Sequence, residues 1–118
     1  MNNINSISHD VCFLIASSSK KSYQKLSKTY SAIEPPTWAL LLAQSCRAVN
    51  FNVSIIDANA ENLNNDEILE KLGKINPRLL CLVVYGQNVN AGTANMSGAV
   101  DITNFLKIKK VNFPIAFI

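Results

Sequence analysis

The sequence predicts an α/β domain built on a parallel sheet with both faces covered. Three observations carry this. Short, predominantly apolar runs recur four times along the chain. Stretches with helical spacing or helix-start chemistry separate them. The 118 residues are 48% hydrophobic and 16% charged, which suits one packed core and excludes a disordered or charged tail. A sheet wetted on one face would alternate apolar and polar residues along each strand. Unbroken apolar strands joined through helices instead imply parallel crossovers.

The first run, Asp10 to Ala16 (DVCFLIA), lies between polar Ser6-Ile7-Ser8-His9 and Ser17-Ser18-Ser19, and reads as a doubly buried strand. A long polar segment to Glu34 follows. Pro35 and Pro36 then precede Thr37 to Val49, whose alanines and leucines are strong helix formers. Asn50 ends that helix, and Asn52 to Ala58 is a second strand. Asn64 offers a cap with Glu67 in the reciprocal position, opening a helix whose Ile68, Leu69 and Leu72 share one face. Asn76-Pro77 stops it. Arg78 to Tyr85 is the most strand-like run, and Gly86 to Gly92 reads as a turn-rich loop. Asn95 or Ser97 is expected to cap a third helix, with Val100, Ile102, Phe105 and Leu106 at helical spacing. Phe113 to Ile118 forms the fourth strand.

The expected fold is a Rossmann-like or flavodoxin-like three-layer domain over residues 1–118, with strand order 2-1-3-4. It has no internal repeat and no linker. A final apolar strand without a following helix leaves a hydrophobic edge, which either truncation before a fifth strand, the favoured reading, or partner chains that cover the edge would explain.

Several function classes drop out. The apolar runs, such as Trp38 to Ala43, are far below the roughly 20 residues of a membrane helix. The N-terminus lacks a signal-peptide pattern, which makes the cytoplasm the expected compartment. A net charge of +3 does not argue for nucleic acid, although lysines gather at positions 20, 21, 25 and 28 and again at 107, 109 and 110. Cys12, Cys46 and Cys81 form no CxxC pair, which excludes a zinc finger or an iron–sulfur cluster held by this chain alone; buried, reduced thiols are expected. GxGxxG and GxxxxGK[ST] are both absent, and so are the clustered acids of a phosphate-receiver domain. The sole histidine, His9, precedes the first strand and so sits opposite the ligand-binding edge.

In open parallel sheets ligands bind beyond the carboxyl ends of the strands, where the strand order reverses. With order 2-1-3-4 that crevice lies between the first and third strands. Two loops empty into it. One carries Ser17, Ser18, Ser19, Lys20, Lys21, Ser22, Lys25 and Ser27, hydroxyls and ammoniums suited to phosphate or carboxamide groups. The other, Tyr85 to Met96, combines glycines that admit a flat ligand with the amides of Gln87, Asn88 and Asn90. Asp57, ending the second strand, is placed either to bond a ribose or to cap the loop after it.

The stretches Tyr30-Ser31-Ala32-Ile33-Glu34-Pro35-Pro36-Thr37-Trp38-Ala39, Val53-Ser54-Ile55-Ile56-Asp57-Ala58 and Asn76-Pro77-Arg78 resemble the N-terminal domain of cobalamin-dependent radical-SAM enzymes. There a PP-x-x-L helix start, a V-x-I-I-D strand and an x-P-D-L-V opening occur in this order. Tyr85-Gly86-Gln87 with Ala91-Gly92-Thr93 and Met96 looks like the YG-x-x-x-x-A-S-T-x-x-M loop of one branch. The resemblance spans essentially the whole chain. It implies a cobalamin-binding domain, a corrinoid ligand held by Gly86, Gln87, Asn88, Ala91, Gly92 and Thr93 on one side, and Ser17, Ser18 and Pro36 on the other. It also implies a C-terminal radical-SAM domain in the same parent chain, carrying S-adenosylmethionine and a 4Fe-4S cluster, with no nucleic-acid or membrane partner. Two departures qualify the implication. CxxxCxxC is absent, so these residues alone are not catalytic. The DxHxxG motif is absent too, so the cobalt would have no histidine ligand from this domain. The alternatives are a flavodoxin-like interaction or assembly domain, and a flavin- or nucleotide-binding domain.

Overall fold

The structure, a computed structural model, describes residues 9–16, 36–84 and 89–118, with backbone alone for 89–94. The elements alternate as expected: β1 (Val11–Ile15), α1 (Thr37–Ala48), β2 (Val53–Asp57), α2 (Asn65–Ile75), β3 (Leu79–Leu82), α3 (Val89–Ile108) and β4 (Ile115–Phe117). The four strands form one parallel sheet in the order β2-β1-β3-β4, so the predicted fold class holds.

Handedness explains the layering. The step from β1 to β2 runs one way along the sheet, and the steps to β3 and β4 run the other way. Right-handed crossovers then require α1 on one face and α2 with α3 on the other. The core divides accordingly. On one face Cys12, Leu14, Ile56, Leu80 and Leu82 pack with Ile68 and Leu72 of α2 and Ala99, Ile102 and Leu106 of α3. On the other, Phe13 and Cys81 meet Ala39 and Ala43 of α1, whose small side chains allow a close approach. Each fully buried leucine or isoleucine contributes about 1.5–3 kcal/mol by leaving water.

Local chemistry sets the helix ends. Pro36, φ −78°, opens α1 without a side-chain cap, and its carbonyl accepts from Leu40 N at 2.9 Å. After α1, Asn50 turns the chain at φ 70°. The predicted capping box of α2 is complete: Asn64 Oδ1 accepts from Glu67 N at 2.8 Å, and Glu67 Oε1 accepts from Asn64 N at 3.0 Å. Asn76, left-handed at φ 47°, closes that helix ahead of Pro77.

Three expectations change. The third helix starts at Val89, well before Asn95 or Ser97, and runs for 20 residues. Gly92 costs about 1 kcal/mol relative to alanine, which the packing of a long helix offsets, and no proline interrupts the stretch. The turn-rich segment predicted over Gly86–Gly92 therefore gives way to helix from Val89 onward. Within α3, Val100 points outward while Ala99 takes a core position. The regular ladders of β3 and β4 are also shorter than the apolar runs that form them. Backbone bonds nevertheless continue from Val83 N to Leu14 O at 3.0 Å and from Val84 N to Ile118 O at 2.9 Å.

β2 and β4 are the sheet edges. Phe117 and Ile118 at the β4 edge are about half exposed. Among the described residues, no helix is long and apolar enough to cross a membrane.

Candidate functional site

The carboxyl edge of the sheet is held rigid by backbone bonds that continue past the strand ends. Ile15 O accepts from Ala58 N at 2.9 Å, and Leu82 O accepts from Ile118 N at 2.9 Å. Together with the Val83 and Val84 bonds they tie all four strands at this end. The connections leaving β1 and β3, neighbours in the sheet, head for helices on opposite faces. The strand order therefore reverses between β1 and β3, the position beside which ligands bind in open parallel sheets.

Both α1 and α3 begin at this edge. The first N–H groups of a helix have no partner within it and carry the positive end of its dipole. The start of α2 also lies at this edge. There, however, Asn64 and Glu67 use the end groups, and Asp66 and Glu67 supply negative charge in the first turn. The first turns of α1 and α3 carry no acidic residue.

The predicted site residues fall into two groups. Pro36 sits half-buried at the start of α1, while Ala91, Gly92 and Thr93 lie in the opening turns of α3. The fold thus brings Pro36 and the Ala91–Thr93 segment to the same sheet edge, on opposite faces. Ser17, Ser18, Gly86, Gln87 and Asn88 lie outside the described residues, as do Ser19, Lys20, Lys21, Ser22, Lys25 and Ser27. The start of α3 was legible only as a loop in the sequence. The signal that favoured helix was the run of Ala91, Ala94 and Met96 without a proline.

Asp57 resolves toward loop capping. Its Oδ1 accepts from Ala60 N at 3.0 Å and its carbonyl accepts from Glu61 N at 3.0 Å. His9 lies at the other end of β1, as expected. Its N–H donates to Ile75 O at 3.5 Å and its carbonyl accepts from Arg78 N at 3.0 Å. It cannot reach a ligand in the crevice. Among the described residues, no group of three histidine, cysteine or acidic side chains is arranged to hold a metal ion.

All three cysteines are free thiols; Cys12 and Cys81 are buried and Cys46 is partly exposed. Burial pushes the Cys12 thiol up to about 11 and raises Cys81 as well, because the thiolate is poorly solvated in an apolar core. Neither is a nucleophile at neutral pH.

No protein-family model matches the chain, and neither a curated protein nor a solved structure matches it.

Proposed function

We propose that this chain is a corrinoid-binding module, acting as the cobalamin domain of a larger radical-SAM-type enzyme. The observation that supports ligand binding is the reversal of strand order between β1 and β3, with α1 and α3 both starting at that edge on opposite faces. The choice of corrinoid rests on the sequence resemblance. On this reading the cobalt would take no histidine ligand from this domain, since the sole histidine, His9, is at the opposite end of β1. When bound, the group supplies cobalt–carbon bond chemistry to the rest of the enzyme. The chain's own part is to hold and orient it. Ala91, Gly92 and Thr93 would present helix-start backbone to one side, and Pro36 would close the other, with Ser17, Ser18, Gly86, Gln87 and Asn88 completing the contact. S-adenosylmethionine and the 4Fe-4S cluster belong, on this reading, to a radical-SAM domain outside these residues.

The test is to mix the protein with hydroxocobalamin, pass it through gel filtration and record the visible spectrum. A shifted corrinoid spectrum that travels with the protein, and is lost in Gly92→Phe, supports the reading. Colourless protein overturns it. A second reading, an interaction or assembly domain, is favoured by the exposed apolar side chains of Phe117 and Ile118 at β4, an edge strand among the described residues.

A further inference from the structure

The amino edge of the sheet, opposite the crevice, gathers cations from across the sequence. In a strand–helix alternation every helix ends, and every following strand begins, at this edge. Arg47 closes α1, Lys74 lies in the last turn of α2, Arg78 precedes β3, and Lys107, Lys109 and Lys110 close α3. All six are exposed. Asp10 is the only carboxylate of the described residues at these turns, and it meets Arg78 at 3.6 Å. Lys74 reaches Glu70, one turn back along its helix, at 3.5 Å. Pairs this exposed hold their cations loosely and leave them available to a partner. The acids Asp57, Glu61, Asp66 and Glu67 lie at the other edge, so the described part of the molecule is electrically polar along the strand axis.

The same end exposes large apolar side chains. Ile108 is 76% exposed, Val49 62% and Phe51 50%. Ile108 stands among the three lysines, and Val49 and Phe51 follow Arg47 in the turn before β2. Helix-dipole complementarity accounts for basic residues at helix ends. It does not account for aliphatic side chains held in water between them.

We propose that this edge is a docking surface for an anionic phospholipid bilayer, on which the domain lies peripherally with Ile108, Val49 and Phe51 at the headgroup level. Charge complementarity brings the cations to the anionic headgroups, and the aliphatic side chains enter the interface beneath them. A polynucleotide offers phosphates to the same cations but nothing to Ile108 or Val49. This departs from the expectation of no membrane partner, which rested on the lack of an apolar span; a docking surface needs no span. It does not depend on the corrinoid reading.

The test is co-sedimentation of the full chain with vesicles of phosphatidylcholine alone and of phosphatidylcholine with phosphatidylglycerol in equal parts. Preferential binding to the anionic vesicles, reversed by high salt, is expected. Each basic residue near an anionic surface changes partitioning about fivefold, so the K107Q/K109Q/K110Q variant loses about a hundredfold. Ile108→Ser weakens binding at unchanged net charge. Glu61→Gln makes the chain more positive at the far edge and leaves binding unchanged. Equal partition into neutral vesicles, absence of binding, or insensitivity to Ile108→Ser overturns the proposal. So does tighter retention on single-stranded polynucleotide than on vesicles, which reassigns the edge to nucleic acid.

Discussion

Replacing Leu14 by alanine tests the packing argument at its centre. Leu14 lies on the inner strand β1, paired through the backbone with Ile56 on one side and Leu82 on the other. It is fully buried against the α2 and α3 face. Alanine removes three carbons, about 2.4 kcal/mol of transfer free energy at ~0.8 kcal/mol each. The cavity adds to this, because neighbours on two helices and two strands cannot all collapse into the gap, which gives a total of about 3–4 kcal/mol. With an unfolding entropy near 2.1 cal/mol/K per residue, a chain of this size loses about 14 °C in Tm. Leu41, 56% exposed on the outer side of α1, is the matched control; its replacement by alanine is expected to change stability by less than about 0.5 kcal/mol. Urea unfolding followed by far-ultraviolet circular dichroism measures both. If Leu14→Ala costs under about 1 kcal/mol, or Leu41→Ala costs as much, the assignment of faces is wrong.

Two further predictions concern a helix start and a thiol. Asn64→Ala removes the side-chain acceptor of the α2 capping box, leaving the backbone N–H that donates to Glu67, and should cost about 1 kcal/mol in the same urea experiment, with Asn64→Asp restoring most of it. Cys12 has its thiol raised from 9.0 to about 11 in the folded chain. The folded state therefore keeps a proton that the unfolded chain releases. That contribution is complete below pH 9.0 and is lost as pH rises through about 11, by up to about 3 kcal/mol. Unfolding midpoints from pH 8 upward, compared with those of Cys12→Ala, measure the difference; parallel curves for the two proteins would refute the assignment. In native protein at pH 8, a thiol reagent should modify partly exposed Cys46 ahead of Cys12 and Cys81.

What the sequence determined by itself was the local pattern. Unbroken runs such as Cys12 to Ile15 and Leu79 to Leu82 are apolar enough to be sheet interior in any arrangement. Asn64 with Glu67, and Asn76 with Pro77, carry their end-of-helix chemistry within four residues. The start of α3 was not legible, because Asn90 and Gly92 look like turn residues until Ala99, Ile102 and Leu106 have a sheet to pack on. Val100, expected on the apolar stripe, points outward for the same reason, since the stripe that faces the sheet is set by the helix's rotation against it. Only the tertiary structure decided what is shared between distant residues. The order β2-β1-β3-β4 put Pro36 and the Ala91–Thr93 segment at one edge and His9 at the other. It also brought Arg47, Arg78 and Lys107 to a single end of the molecule. Along the chain they are isolated charges on separate segments. They become one surface because every right-handed crossover returns its helix to the edge from which the next strand starts.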